Sequence, residues 1–266
     1  MKDLLVDKVV LINGGTQGLG AAIARAAVRE GATVVIGGRT PTKGQAVADE
    51  LTAAGGRAAF VRADVSDVDQ ARSLVAQTVE KCGRVDGVVN AAGATSRGTL
   101  LNTTPELFEQ HIAVNLRAPF FIMQAAVEDM KRRGAPGSIV NILSIDSHGG
   151  QSFLAPYVAA KAGLAGLTKN AAHAHRWDRI RINGLNMGWT ATDGEDALQR
   201  NSTPDGDTRA GGADWQEAAG RNLPMGKVGQ PDEIADFVVF LLSDRSGVVT
   251  GSVLDWDQIV IGGIGD

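Results

Sequence analysis

Residues 9–31 read VVLINGGTQGLGAAIARAAVREG. The apolar, mostly β-branched run 9–12 predicts a buried strand, and the alanine-rich run 18–30, closed by Gly31, predicts a helix. Between them lies Asn13-Gly14-Gly15-Thr16-Gln17-Gly18-Leu19-Gly20. Glycines there permit a tight strand-to-helix turn, and the helix amides then point at a pyrophosphate. The spacing Gly-x-x-x-Gly-x-Gly differs from the standard dinucleotide fingerprint, so the cluster by itself is equally compatible with an ordinary tight turn.

The same rhythm continues outward. Short β-branched runs at 33–36, 58–61, 87–90, 138–143, 180–183 and 253–256 alternate with helical patterns at 42–54, 67–82, 105–130 and 157–174. Gly55-Gly56 and Gly83 close the second and third helices as Gly31 closes the first, supplying the left-handed conformation of a helix stop. Strands separated by helices pair in parallel. The expectation is a single-domain α/β chain, 1–266, with a Rossmann-type doubly wound parallel sheet of seven strands flanked by helices. One stretch, 190–230, carries Gly194, Pro204, Gly206, Gly211-Gly212 and several acids without a sustained apolar period. It reads as a polar loop that covers the substrate, or as a merely variable surface loop.

Composition narrows the function classes. The chain has 266 residues, 44% of them hydrophobic and 21% charged, enough for a buried core. A net charge of −4, with basic residues scattered apart from Lys131-Arg132-Arg133, argues against nucleic acid or an anionic membrane as partner. The longest apolar runs, such as 237–242, are far shorter than the roughly 18 residues of a membrane span. Asp7 and Lys8 interrupt the N-terminal apolar run, so no secretory leader is expected. Cys82 is the only cysteine, which excludes an intrachain disulfide and fits a cytoplasmic location.

Four further motifs follow in order: Asn90-Ala91-Ala92-Gly93, Asn115, Ser144, and Tyr157-Val158-Ala159-Ala160-Lys161. Together with the glycine turn, they make the chain resemble the short-chain dehydrogenase/reductase family over nearly its whole length. That resemblance implies a nicotinamide cofactor held by Gly14, Thr16, Gln17, Gly18, Leu19 and Gly20 of the turn. It also implies contacts from Asp64 and Val65 at the adenine, from Asn90, Ala91 and Gly93, and from Tyr157 and Lys161. Gly188, Thr190 and Thr192 would complete the cofactor site, with Thr192 on the carboxamide or phosphate. Asp64 has a plainer reading as a helix cap. The second strand ends at Gly37-Gly38-Arg39, where an NAD-binding fold usually places an acid. An arginine there pairs with a 2′-phosphate, so NADP(H) is favoured over NAD(H), although Gln17 stands where NADP-dependent relatives often carry a second basic residue.

Moving a hydride between nicotinamide and a carbonyl carbon needs a proton donor at the oxygen. Tyr157, the only tyrosine in the sequence, is the candidate. Lys161 lies one helical turn later on the same face, where its charge is expected to lower the phenol pKa from about 10. Ser144 precedes Tyr157 at the family's interval and is placed to orient the substrate oxygen. By resemblance, Asn115 holds a water linking the lysine to solvent. These four form the expected catalytic set.

A hydrolase built on Ser144, Asp146 and His148 is disfavoured because the sequence has no Gly-x-Ser-x-Gly elbow. His173 and His175, two apart, face different sides of a helix, so no metal site is expected. The substrate pocket is expected to draw on Thr95, Arg97, Asp146, His148, Gln151, Phe153 and Trp189 beside Ser144 and Tyr157. Its many hydrogen-bonding groups suit a small polar molecule such as a sugar, polyol or keto compound. Met187-Gly188 replaces the Pro-Gly common in relatives, and 254–258, LDWDQ, replaces the usual Asp-Gly-Gly. A cofactor-sensing protein without turnover is the alternative reading, and a nucleotide-sugar epimerase, which shares the Tyr-Lys pair, is disfavoured by length. Phe108, Phe120, Phe121 and the apolar tail 259–264 suit a homo-oligomer, tetramer or dimer, or burial within one subunit.

Overall fold

The computed structural model describes residues 3–201 and 211–261. Pro204, Gly206 and positions 262–264 of the apolar tail fall outside that range. Seven strands, β1 (Val9–Asn13), β2 (Thr33–Gly38), β3 (Arg57–Arg62), β4 (Gly87–Asn90), β5 (Gly137–Ser144), β6 (Ile180–Met187) and β7 (Val253–Trp256), form one parallel sheet. Their order is β3-β2-β1-β4-β5-β6-β7, the Rossmann-type doubly wound arrangement. Chain direction across the sheet reverses between β1 and β4, and ligands bind in the crevice outside the strand ends at such a point.

Helices α1 (Gly18–Arg29), α2 (Pro41–Ala53) and α3 (Val68–Cys82) follow the first three strands. Next, α4 (Pro105–Ile112) and α5 (Ala118–Arg132) link β4 to β5, and α6 (Ala155–His175) links β5 to β6. Between β6 and β7 lie α7 (Asp193–Arg200), α8 (Trp215–Gly220) and α9 (Pro231–Leu242). Alternation along the strands feeds two cores. Val10, Ile12, Val34, Ile36 and Val89 pack with Ile23 of α1 and Val238 of α9. Leu11, Val35 and Val88 pack on the opposite side with Leu74, Ile122 and Leu164 of α3, α5 and α6. Strands buried on both faces must be apolar at every position, which is why 9–12 carries no polar alternation.

Two segments differ from the sequence reading. The helix expected over 105–130 is broken by a π-helical turn, Ala113–Arg117, between α4 and α5. Asn115 sits inside it, fully buried, and such turns gather at functional sites because the wider winding redirects side chains and frees a carbonyl. The stretch 190–230, read as an irregular polar loop, contains α7 and α8 around a small apolar cluster. Trp215, Ala219 and Val228 are buried there against Trp189, Ala191 and Leu223. Trp215, Ala219 and Leu223 stand four apart, a helical spacing too short to mark a sustained period, and Trp189 and Ala191 join them from a distant part of the chain.

The geometry of the glycine turn is set by backbone contact. A Cβ on Gly20 would lie 2.1 Å from the carbonyl oxygen of Gly14, and one on Gly14, whose φ is +90°, would lie 2.5 Å from the amide nitrogen of Ala92. No side-chain rearrangement relieves such a clash. Gly20→Ala is therefore expected to destabilise the fold by at least the ~1–3 kcal/mol typical of overpacked sites, read as a lowered midpoint of thermal or urea unfolding; an unchanged midpoint would show that α1 does not need this close approach.

Candidate active site

The ends of β1 and β4 deliver the first half of the site. The Gly14 amide donates to Gly37 O at 2.9 Å and the Ala91 amide to Asn13 O at 2.9 Å, tying the turn to both neighbouring strands. At the start of α1, the Gly18 amide donates to the Asp193 carboxylate at 3.3 Å. This helix end thus already receives an anion from the chain itself, as its positive dipole end favours. Thr192 caps α7, its hydroxyl accepting from the Glu195 amide, and a Cβ on Gly18 would meet the Thr192 side chain at 3.5 Å. The segment 188–193 therefore lies over the glycine turn. Thr190 is buried there, its hydroxyl donating to Gly188 O at 2.9 Å. Such a cradle of glycines and amides, beside the buried and unpaired Asn13 Nδ2 and Asn90 Oδ1, fits a dinucleotide.

Other expected cofactor residues are placed less directly. Leu19 and Val65 are buried in the two cores, so only their backbones can face a ligand. Asn90 donates from Nδ2 to Asn141 Oδ1 at 2.8 Å. Gly93 is exposed on the loop after β4. Asp64 accepts from the amide and hydroxyl of Ser66, whereas Asp67 is the residue that caps α3. Arg39 is exposed after β2, and Lys43 of α2 donates to Gln17 Oε1 at 2.7 Å. Lys43 escaped the sequence reading because only the fold brings α2 beside the glycine turn. It supplies a cation where Gln17 lacks one.

The second half stands at the ends of β5 and β6 and the start of α6. Ser144 is the last residue of β5 and is buried. Its hydroxyl donates to Asp146 Oδ2 at 3.2 Å. Lys161 is buried one turn along α6, with Nζ donating to Ile142 O at 2.7 Å and lying 5.6 Å from the centre of the Tyr157 ring. Asn115 brackets Ala94: its Oδ1 accepts from the Ala94 amide and its Nδ2 donates to the Ala94 carbonyl, both at 2.9 Å.

Burial dominates the protonation of this group. It pushes the Tyr157 phenol up to about 12, with the Ser144 hydrogen bond pulling downward and the Asp146 charge pushing further up. It pushes the Lys161 ammonium down to about 8. The expected lowering of the phenol by Lys161 is not found in the ligand-free protein: desolvation of the phenol raises it instead. Near neutral pH the phenol keeps its proton, and Lys161 is charged but close to losing that charge. Burial also raises the Asp146 carboxyl, and the charge of Asp257 adds to the rise.

The expected pocket residues divide. Asp146 is buried against Ser144, whereas Thr95 and Gln151 are exposed. Arg97 stacks its guanidinium over Phe153, 4.8 Å from the ring centre. His148 is held 2.9 Å from Asp255 of β7 and 3.1 Å from Asn186 of β6, so it bridges the sheet edge. Trp189 donates to Glu195 and packs on Trp215. Asp257 was missed. Its carboxylate lies against Gly188, where a Cβ would approach Oδ1 to 2.1 Å, and its only signal was the departure at 254–258.

Chemically, the arrangement offers an anion cradle together with a protonated phenol that has a buried ammonium 5.6 Å from its ring centre and the buried Ser144 at the end of the neighbouring strand. Among the described residues no cluster of His, Cys, Asp or Glu forms a metal site, and no helix is long and apolar enough to cross a membrane. A family model described as Enoyl-(Acyl carrier protein) reductase matches residues 14–258. The L-rhamnose 1-dehydrogenase (NAD(P)(+)) of Azotobacter vinelandii is 36% identical over 255 residues, covering 94% of this chain and 95% of that protein. An A-factor type gamma-butyrolactone 1'-reductase (1S-forming) of Streptomyces virginiae is 34% identical over 252 residues, 94% of each chain. A solved short-chain type dehydrogenase/reductase from Mycobacterium marinum has a TM-score of 0.85 at 29% identity, covering 96% of this chain and 95% of that one.

The raised phenol has a direct consequence for titration. Free tyrosine ionises near 10, and the folded-state value of about 12 means that the neutral phenol contributes stability in full below pH 10.0, lost as pH rises through about 12. For Lys161 the sign is opposite: the buried ammonium opposes folding below about pH 8, and that cost is relieved by pH 10.5. Tyr157 is the only tyrosine, so ultraviolet tyrosinate absorbance reports it alone. At a pH of about 10.5 the folded protein is expected to show little tyrosinate while the urea-unfolded chain is more than half ionised; equal absorbance in the two states would contradict the desolvated phenol.

Proposed function

The chain belongs to the short-chain dehydrogenase/reductase family, and on that premise we propose how its residues carry the reaction and on what. The protein is an oxidoreductase acting on the carbonyl or secondary alcohol of a small molecule. The observation that carries our reading is the Lys161 ammonium 5.6 Å from the centre of the Tyr157 ring, one turn along α6, with the buried Ser144 at the end of the neighbouring strand β5. Bound in the glycine cradle, a nicotinamide cofactor supplies the two-electron hydride acceptor or donor. In reduction, the Tyr157 hydroxyl gives its proton to the carbonyl oxygen as that oxygen becomes an alcohol; in oxidation, the phenolate takes it back. Ser144 donates to the same oxygen and fixes its position. Lys161 holds positive charge behind the phenol and stabilises the phenolate. Asn115 supports the proton path by fixing the loop that follows β4.

The cofactor we favour is NADP(H), with NAD(H) as the second choice. Arg39 and Lys43 together present two cations at the end of β2, which suits a 2′-phosphate. The substrate we propose is a sugar, polyol or polar keto compound. Asp146, buried beside Ser144, and Asp257, against Gly188, accept hydrogen bonds from hydroxyl groups and disfavour an anionic substrate. The names of the L-rhamnose 1-dehydrogenases of Azotobacter vinelandii and a Sphingomonas species, 36% and 34% identical, support the sugar class. We further propose a single-domain enzyme of the cytoplasm in which α7 and α8 cover the substrate. A homo-oligomer, tetramer or dimer, is supported by the exposed apolar residues Phe108, Phe120, Ile259 and Val260.

Two measurements test this. Absorbance of reduced nicotinamide is followed while the protein meets sugars, polyols and secondary alcohols with NADP⁺ or NAD⁺, and ketones with the reduced cofactors. Turnover is expected, and Tyr157→Phe should lower kcat by about 10²–10⁴-fold; cofactor binding without turnover across the whole screen would instead support a cofactor-sensing protein. In the second, the double variant Arg39→Ala, Lys43→Ala should weaken NADP(H) about tenfold or more while leaving NAD(H) affinity within about twofold. An equal loss for both cofactors would remove the 2′-phosphate argument.

A further inference from the structure

His111 has no part in the reaction described above, yet it is completely buried at the end of α4, one turn before Asn115. Its Nε2 lies 2.9 Å from the carbonyl oxygen of Ser96. A carbonyl only accepts, so Nε2 carries the proton. On a neutral ring, Nδ1 is then an acceptor, and the Asn115 Nδ2 stands 3.1 Å from it. The Asn115 amide is thereby used completely: one Nδ2 hydrogen goes to Ala94 O, the other to His111 Nδ1, while Oδ1 receives the Ala94 amide. Flipping the amide would set its oxygen against a carbonyl and a ring lone pair. The histidine tautomer and the amide orientation therefore fix each other.

The other side of the imidazole meets the reaction centre. The His111 and Tyr157 rings are in edge-to-face contact, with centroids 6.1 Å apart and planes at 83°. Burial holds the imidazole pKa below its ordinary value, consistent with the uncharged ring this network needs. Protonation of Nδ1 would oppose it to the Asn115 amide hydrogens. One side chain thus joins the loop after β4, at Ser96, to the π-helical turn and to α6.

We propose that His111 is a positioning residue for the dehydrogenase reaction: an Nε2-protonated imidazole that locks the Asn115 amide and, through edge-to-face contact, holds the Tyr157 ring at the reacting oxygen. This rests on the assignment of Tyr157 as the proton-transfer group.

Three variants separate positioning from bulk packing. His111→Phe keeps an aromatic ring against Tyr157 and loses both hydrogen bonds. His111→Asn retains an acceptor near the Nδ1 position for Asn115, and His111→Gln retains a donor near Nε2 for Ser96. In His111→Phe, kcat is expected to fall about tenfold or more with substrate KM and cofactor Kd within about twofold, the pattern of an interaction that matters in the transition state. His111→Asn should recover most of that loss and His111→Gln should not. Unchanged kcat in His111→Phe, or recovery by Gln alone, overturns the proposal. If His111→Phe does not fold, the Asn and Gln variants decide between the same outcomes.

A second readout needs no substrate. Loosening the ring lets water reach the phenol, so the tyrosinate midpoint in His111→Gln should move from about 12 toward the ordinary value near 10, and an unchanged midpoint also counts against the role. Tyr157→Phe run alongside distinguishes the failures. Full turnover there defeats the assignment of Tyr157, whereas lost turnover there with an unaffected His111→Phe defeats only the role of His111.

Discussion

Backbone against backbone at the mouth of the sheet is the constraint from which the rest follows. Gly20 of α1 sits on the carbonyl of Gly14, and Gly14 sits on the amide of Ala92. These contacts set how far α1 stands from the ends of β1 and β4, and they exclude any side chain from the gap. The N-terminal amides of α1 consequently face an open crevice at the point where strand order reverses. The partial positive charge there attracts an anion, and the Asp193 carboxylate reaches over from α7 to the Gly18 amide. On the proposed reading, a pyrophosphate held at the same turn would compete with that carboxylate.

The second determining effect is desolvation. Parallel β5 ends at Ser144, and α6 returns over it so that Tyr157 and Lys161 lie behind the serine. The lysine loses most of its water and gains the Ile142 carbonyl at 2.7 Å. That exchange disfavours the ammonium, just as burial disfavours the phenolate. Near neutral pH the phenol is thus held firmly protonated, and the ammonium is charged but near its own pKa. Asp146, bonded to the same serine, adds negative potential that keeps the phenol protonated. On the proposed assignment of Tyr157, the ligand-free protein holds the phenol in the donor form that carbonyl reduction needs.

The α7–α8 segment connects the two halves. Its small core of Trp215, Ala219 and Val228, with Trp189 packed on it, is separate from both main cores. The segment reaches the glycine turn through Thr192 and Asp193, and Trp189, between Gly188 and Thr190, connects it to the end of β6. On the proposed reading, in which α7 and α8 cover the substrate, a unit with its own small core would open at a lower free energy than the sheet.

The sequence by itself determined the strands and most of the helices, and it singled out Asn115, Ser144, Tyr157 and Lys161 as the members of the proposed reaction centre. Those signals are local: apolar runs for doubly buried strands, left-handed glycines after helices, and a Tyr-x-x-x-Lys spacing that puts two groups on one helix face. Even where a local signal was correct, its electrostatic consequence was not contained in it, since the spacing of Tyr157 and Lys161 suggested a lowered phenol and burial by distant elements raised it. Only the tertiary structure broke the helix at Asn115, gave His111 its partners, brought Lys43 to Gln17 and set Asp257 against Gly188. It also gathered Trp189 and Trp215, residues with no periodic relation, into one small cluster. Local sequence encodes local backbone preference, whereas burial, desolvation and hydrogen-bond partnership depend on which distant segments the closed sheet brings together.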